Sequence, residues 1–281
     1  MKLAISNIAW ATGDRVAAYH LMREHGVCGL EIAPGLFFSD ADDPFSPSEA
    51  QAGPRLAEAT AAGLSIVSMQ SLLFGVSGAA LFGDAEARAR FVGGMRRAIA
   101  LAGRFEIPNL VFGSPAQRNI PDSMSPSEAR DIGAGVFREL ADGAAAAGTR
   151  IGIEFNPAAY GTNFLNTHEQ AAEFVAAVDH PAVTLILDVG ALHMNGDFER
   201  IEEIAQAHAS RISHVHVSEP YLGPAPARSD QGARVLRAMA DAGYQGWYSI
   251  EMKATDRGLA DVDAALARLV QSLGAAAREG D

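Results

Sequence analysis

Along the chain, short apolar runs alternate with Ala-, Glu- and Arg-rich stretches of helical length, the pattern of β-α units around a parallel sheet. Eight strands are predicted, at residues 3–6, 29–32, 65–69, 109–112, 150–154, 184–188, 213–217 and 247–251. Each precedes a segment able to form a helix. Ser46-Pro47-Ser48-Glu49, Ser125-Pro126-Ser127-Glu128 and Thr167-His168-Glu169-Gln170 read as helix starts, with a hydroxyl and an acid or amide placed to satisfy free backbone amides. Ala62-Gly63, Ala147-Gly148 and Ala242-Gly243 read as helix stops just before the next strand.

The connections that follow strands are longer than those that precede them, notably 33–47, 70–83, 113–124, 155–166 and 218–229. This asymmetry predicts a (β/α)8 TIM barrel, with residues 1–281 as one domain and the chemistry on the face where strands run into helices. A doubly wound open sheet would want a Gly-rich turn after the first strand, and Ser6-Asn7-Ile8-Ala9-Trp10 is not one.

Composition narrows the function. With 22 basic and 34 acidic residues the net charge is −12, which repels a phosphate backbone and argues against nucleic acid as partner. Cys28, the one cysteine, sits in apolar Val27-Cys28-Gly29-Leu30, so no intramolecular disulfide forms and the thiol is expected in the core. The chain starts Met1-Lys2-Leu3-Ala4 and meets polar Ser6 and Asn7 at once, unlike a signal peptide. No apolar run approaches the ~20 residues of a bilayer span, so the expectation is a soluble, cytoplasmic protein with no membrane partner.

Four consecutive strands end in a metal-competent side chain: Ile153-Glu154, Leu187-Asp188, His214-Val215-His216 and Ile250-Glu251. Side chains alternate across a strand, so Glu154, Asp188, His216 and Glu251 all point into the barrel. Three carboxylates crowded together repel one another, and a divalent cation between them removes the conflict. Three carboxylates and one imidazole suit Mn²⁺ or Mg²⁺ best, with Co²⁺, Zn²⁺ or Fe²⁺ as alternatives. His214, two residues before His216, is either a core histidine or a partner to the ligands.

Other polar and aromatic residues at strand ends are candidate substrate contacts. Phe112-Gly113-Ser114-Pro115-Ala116-Gln117-Arg118 places Arg118 where it binds an anion or a sugar hydroxyl, or lies on the surface. Asn156, Glu219 and Gln70 are candidates for polar contacts, and Glu31 either joins them or supports the barrel. Trp10, Phe37, Phe38 and Phe74 suggest a partly apolar rim.

Ile153-Glu154-Phe155-Asn156-Pro157, Leu187-Asp188-Val189-Gly190-Ala191-Leu192-His193, His214-Val215-His216-Val217-Ser218-Glu219-Pro220 and Ser249-Ile250-Glu251-Met252-Lys253 carry a family likeness across the whole chain. The sequence resembles the xylose isomerase-like TIM barrels, which include sugar (phosphate) isomerases and epimerases and apurinic endonucleases, and it is most similar to the ketose 3-epimerase branch. The resemblance implies carbohydrate metabolism: a metal-dependent isomerase or epimerase of sugars or sugar derivatives that abstracts a proton next to a carbonyl and passes through an enediolate. It implies one metal, Mn²⁺ before Mg²⁺, Co²⁺ or Zn²⁺, held by Glu154, Asp188, His216 and Glu251, with Glu154 and Glu251 also moving the proton. It implies that His193 contacts substrate oxygens, although it stands five positions after Asp188 where many relatives have an offset of three. Pairing into a homodimer or homotetramer is a further expectation.

A DNA-repair endonuclease of the family needs extra His ligands after strands three and four, and Ser68-Met69-Gln70-Ser71 and Phe112-Gly113-Ser114 offer none. A metal-dependent dehydratase or lyase acting on a keto-cyclitol or oxidised sugar also begins with proton removal beside a carbonyl and stays open as the alternative. A sugar-binding barrel without chemistry would be expected to lack a ligand, and all four are present.

Overall fold

The computed structural model of the protein describes residues 1–278. Its strands are β1 (Lys2–Ser6), β2 (Gly29–Ile32), β3 (Ser65–Met69), β4 (Leu110–Phe112), β5 (Ile151–Glu154), β6 (Val183–Asp188), β7 (Ile212–Ser218) and β8 (Trp247–Glu251). They follow one another in chain order and close into a barrel, with β8 hydrogen-bonded in parallel to β1. Between and after them run α1 (Arg15–Glu24), α2 (Pro34–Phe37), α3 (Glu49–Ala61), α4 (Ala85–Arg104), α5 (Pro126–Ala146), α6 (His168–Val178), α7 (Val189–Asn195), α8 (Ile201–His208), α9 (Ser229–Asp241) and α10 (Leu259–Arg278). The predicted strands and their order hold to within a residue at each end.

The caps follow the residues that predict them, with one shift. Ser125 and Glu128 cap α5 reciprocally with Pro126 in its first turn, and the Thr167 hydroxyl accepts the Gln170 amide at the start of α6. At α3 the box forms two residues later than expected: Ser48, not Ser46, is the cap, and its partner is Gln51 rather than Glu49. Gln51 Oε1 accepts the Ser48 amide at 2.9 Å. Gly63, Gly148 and Gly243 end their helices in the left-handed region that other residues resist.

By their contacts the described residues form two compact units, Met1–Val67 with Leu187 onward, and Ser68–Ile186, so the divisions fall inside β3 and β6. In the first unit, β7 and β8 pair so that His214, His216 and Ser218 lie beside Trp247, Ser249 and Glu251. Trp247 packs its ring against Gly29 at the start of β2. A Cβ on Gly29 would lie 2.7 Å from its ring and from Ala4, so β2 can pass only with a glycine there. The same facing carries Glu31 into the interior, where it is wholly buried.

In the second unit, Glu154 at the end of β5 pairs in register with Ile186 of β6. Outside β4 and β5 lies an apolar layer in which Phe91, Phe112, Phe137 and Phe174 meet edge to face at 4.8–6.2 Å between ring centres. One expectation fails in this frame: Cys28 is exposed. It stands just before β2, at a position whose apolar neighbours Val27 and Leu30 turn inward while the thiol does not.

Candidate metal centre and active site

Three of the expected ligands, Asp188, His216 and Glu251, sit buried on neighbouring strand ends of the first unit, each offering a ligand atom within 4.8 Å of the others'. Asp188 ends β6 and also caps α7, with Oδ1 accepting the Ala191 amide at 2.8 Å. The same oxygen accepts the Ser218 hydroxyl at 2.6 Å, and that hydroxyl in turn accepts the Gly190 amide at 2.8 Å. One carboxylate oxygen is therefore committed to the scaffold, and the carboxylate plane is fixed. Gly190 has no room for a side chain here, since a Cβ would lie 2.8 Å from the Glu219 backbone.

His216 is gripped from below. Its Nε2 faces both oxygens of Glu31, at 3.1 and 3.2 Å, while Nδ1 faces Glu251 Oε2 at 3.3 Å. His214 brings its own Nε2 to 2.8 Å from Glu31 Oε2. Burial alone would raise the Glu31 carboxyl, but the imidazoles of His216 and His214 against it hold it well below the usual carboxylate range. With Nε2 donating to Glu31, a neutral His216 would hold the lone pair of Nδ1 beside the Glu251 carboxylate, a nitrogen and an oxygen donor that a divalent cation could share. The donor set thus fits a divalent metal on its own chemistry.

In the second unit, Glu154 is buried at the end of β5, and its Oε2 accepts the Asn156 amide at 3.1 Å. Asn156 Oδ1 is buried and bonds to no protein group, so it is poised to accept from a hydroxyl. The strand end of β4 runs close beneath: a Cβ on Gly113 would fall 2.5 Å from Glu154 Oε2.

Arg118 needs correction as a candidate substrate contact. It is wholly buried and donates to the backbone carbonyls of Glu154 at 2.8 Å and Leu165 at 3.4 Å. Burial pulls its guanidinium down to about 10, with the Glu154 charge opposing the shift. It braces the chain that carries Glu154, and neither a surface position nor an open binding position describes it. Trp10 is buried as well, edge-on to Tyr19 at 6.3 Å, and Phe37 and Phe38 are buried against each other, so of the expected aromatic rim Phe74 alone is exposed. These rings pack because their loops fold back over apolar surface.

Gln70 is buried at the end of β3. His193 stacks on Phe198 with ring centres 4.0 Å apart; burial lowers its pKa while Glu219 and Glu199 oppose the shift. Glu219 is partly exposed and spends Oε1 on the Ala227 amide at 2.7 Å. Ser218 was not singled out from the sequence, though it shares the inward facing of His214 and His216 and lies two residues further along the same strand.

Residues 19–274 match the family described as xylose isomerase-like TIM barrel. No curated protein matches the chain. Among solved structures, a D-tagatose 3-epimerase-like protein is 20% identical with a TM-score of 0.77, the match covering 100% of each chain. D-psicose 3-epimerase with D-tagatose from Clostridium cellulolyticum H10 is 18% identical with a TM-score of 0.74, covering 99% of each chain. The IOLI protein with a binding zinc atom is 17% identical with a TM-score of 0.68, covering 98% of each. At these identities the structural likeness establishes the fold.

Proposed function

The chain belongs to the xylose isomerase-like TIM barrel family, and from that premise we propose that it is a divalent-metal-dependent sugar epimerase or isomerase whose Glu154, Asp188, His216 and Glu251 hold one cation. The observation that carries the reading is that Asp188, His216 and Glu251, buried on neighbouring strand ends, each offer a ligand atom within 4.8 Å of the others'. The oxygen-rich set favours Mn²⁺, with Mg²⁺, Co²⁺ and Zn²⁺ as the ions to compare.

A cation held there would supply the polarisation of a substrate carbonyl that acidifies the neighbouring C–H. Asp188 and His216 act as ligands only, because Ser218 and Ala191 hold Asp188 Oδ1 and Glu31 holds His216 Nε2. Glu154 and Glu251 are the two carboxylates assigned to proton transfer, one removing the proton beside the carbonyl and the other returning one. Asn156 fixes the Glu154 carboxylate and offers its own oxygen to a sugar hydroxyl. His193, in α7 beyond Asp188, and Glu219, just beyond β7, are assigned to further hydroxyls, with Gln70 as a third polar contact.

The test is a panel of ketoses, keto-cyclitols and oxidised sugars incubated with the Mn²⁺-loaded protein in D₂O and followed by NMR. Deuterium should appear at the carbon next to the carbonyl of at least one compound. Glu154→Gln and Glu251→Gln should each abolish it while leaving the unfolding temperature near that of the parent. Full exchange in both variants refutes the acid-base roles, and net loss of water from the product assigns the dehydratase alternative.

A further inference from the structure

We infer that Glu31 is a positioning residue, which fixes the tautomer and ring orientation of His216 and so leaves Nδ1 as the atom that meets the metal. The inference rests on the metal reading proposed above and deepens it. Glu31 enters the interior from β2, in register with Ser6, and is wholly buried. Three imidazole contacts converge on it: His216 Nε2 at 3.1 and 3.2 Å from its two oxygens, and His214 Nε2 at 2.8 Å from Oε2. The two rings stand perpendicular with centres 5.3 Å apart, so both reach one carboxylate without touching each other.

A carboxylate accepts hydrogen bonds, so the His216 Nε2 that bonds to both oxygens of Glu31 carries the proton. A neutral His216 then has its lone pair on Nδ1, on the side of Glu251 Oε2. A carboxylate behind a metal-binding imidazole also raises its basicity and stops the ring from turning. His214 has no ligand role in this arrangement; it holds Glu31 from the deeper side. A glutamine at position 31 has the same shape but one acceptor and one donor, and its amide nitrogen cannot face an imidazole N–H.

Glu31, His214 and His216 also lie close enough together to be a ligand set themselves, their ligand atoms within 4.8 Å of one another. The experiment separates that case. Zn²⁺, which is diamagnetic, is titrated into the full-length wild type and Glu31→Gln by competition calorimetry, and imidazole ¹⁵N shifts are recorded on the loaded proteins. The wild type should bind one equivalent, with His216 metal-bound at Nδ1 and protonated at Nε2. Glu31→Gln should keep its circular dichroism and bind one equivalent about 10- to 100-fold more weakly, with the His216 Nε2–H resonance shifted or lost. Equal affinity in the two proteins overturns the inference while leaving the proposed function intact. Two equivalents in the wild type, one of them lost in Glu31→Gln, also overturn it by making Glu31 a ligand. If Glu31→Gln does not fold, the wild-type spectrum decides alone: metal on Nε2 with the proton on Nδ1 contradicts the assignment. A wild type that binds no divalent ion sinks the proposed function and this inference together.

Discussion

In the unit that carries Asp188 and His216, buried partners seize these two ligand side chains themselves: Ser218 and the Ala191 amide take one oxygen of Asp188, and Glu31 takes Nε2 of His216. In the unit that carries Glu154, a buried guanidinium holds the backbone. Arg118 clamps the Glu154 and Leu165 carbonyls, and the Asn156 side-chain amide reaches the carboxylate. The difference suits the proposed division of labour. A pure ligand gains from having one donor direction and no freedom, whereas a carboxylate that also exchanges a proton needs a rigid base and a head that can shift between partners.

The largest effect expected from breaking this comparison is at Arg118. Arg118→Met removes the guanidinium from two buried carbonyls, and the variant should lose about 2–4 kcal/mol of stability by urea denaturation. A loss below about 0.5 kcal/mol would show that the brace is not one, since that is the range of ordinary surface substitutions. Gly113→Ala acts on the head rather than the base. Its Cβ would meet Glu154 Oε2 at 2.5 Å, and the carboxylate end can swing away, so the fold should survive. Proton exchange should fall about 10²-fold, the cost of misplacing a reacting group by an ångström, with the unfolding midpoint nearly unchanged. Unchanged exchange would mean that Glu154 does not need its present orientation.

The smallest effect is expected on the ligand side. Ser218→Ala deletes a 2.6 Å donor to Asp188 Oδ1 but leaves the Ala191 amide on the same oxygen. Metal affinity should weaken about 10-fold and stability should drop by about 1 kcal/mol, as read by calorimetry and thermal unfolding. An affinity as high as the parent's would place Asp188 outside the metal's immediate partners.

The barrel was legible in the sequence because its signals are local. Apolar runs, caps such as Ser125-Pro126 and closing glycines such as Gly63 each act within a few residues, and strand parity alone aimed Glu154, Asp188, His216 and Glu251 inward. What stayed hidden depends on partners far along the chain. Arg118 is read from sequence as a surface or ligand-facing cation, because only the fold reveals that two buried carbonyls wait for it. The grip of Glu31 on His216 spans 185 residues. Ser218 carried a usable signal, the inward facing it shares with His214 and His216, but a lone serine does not declare a carboxylate partner. Cys28 misled in the opposite direction, since apolar neighbours do not bury a residue that stands just outside a strand.

The central claim is that a cation held by Glu154, Asp188, His216 and Glu251 is needed to remove a proton beside a substrate carbonyl. The direct measurement is solvent deuterium exchange into a reactive sugar by the wild type, first as purified, then after exhaustive chelation, then after one equivalent of Mn²⁺ is returned. Exchange should vanish on chelation and return in full at one equivalent. Exchange that persists at its original rate in the chelated protein, shown by elemental analysis to be free of metal, would contradict the account.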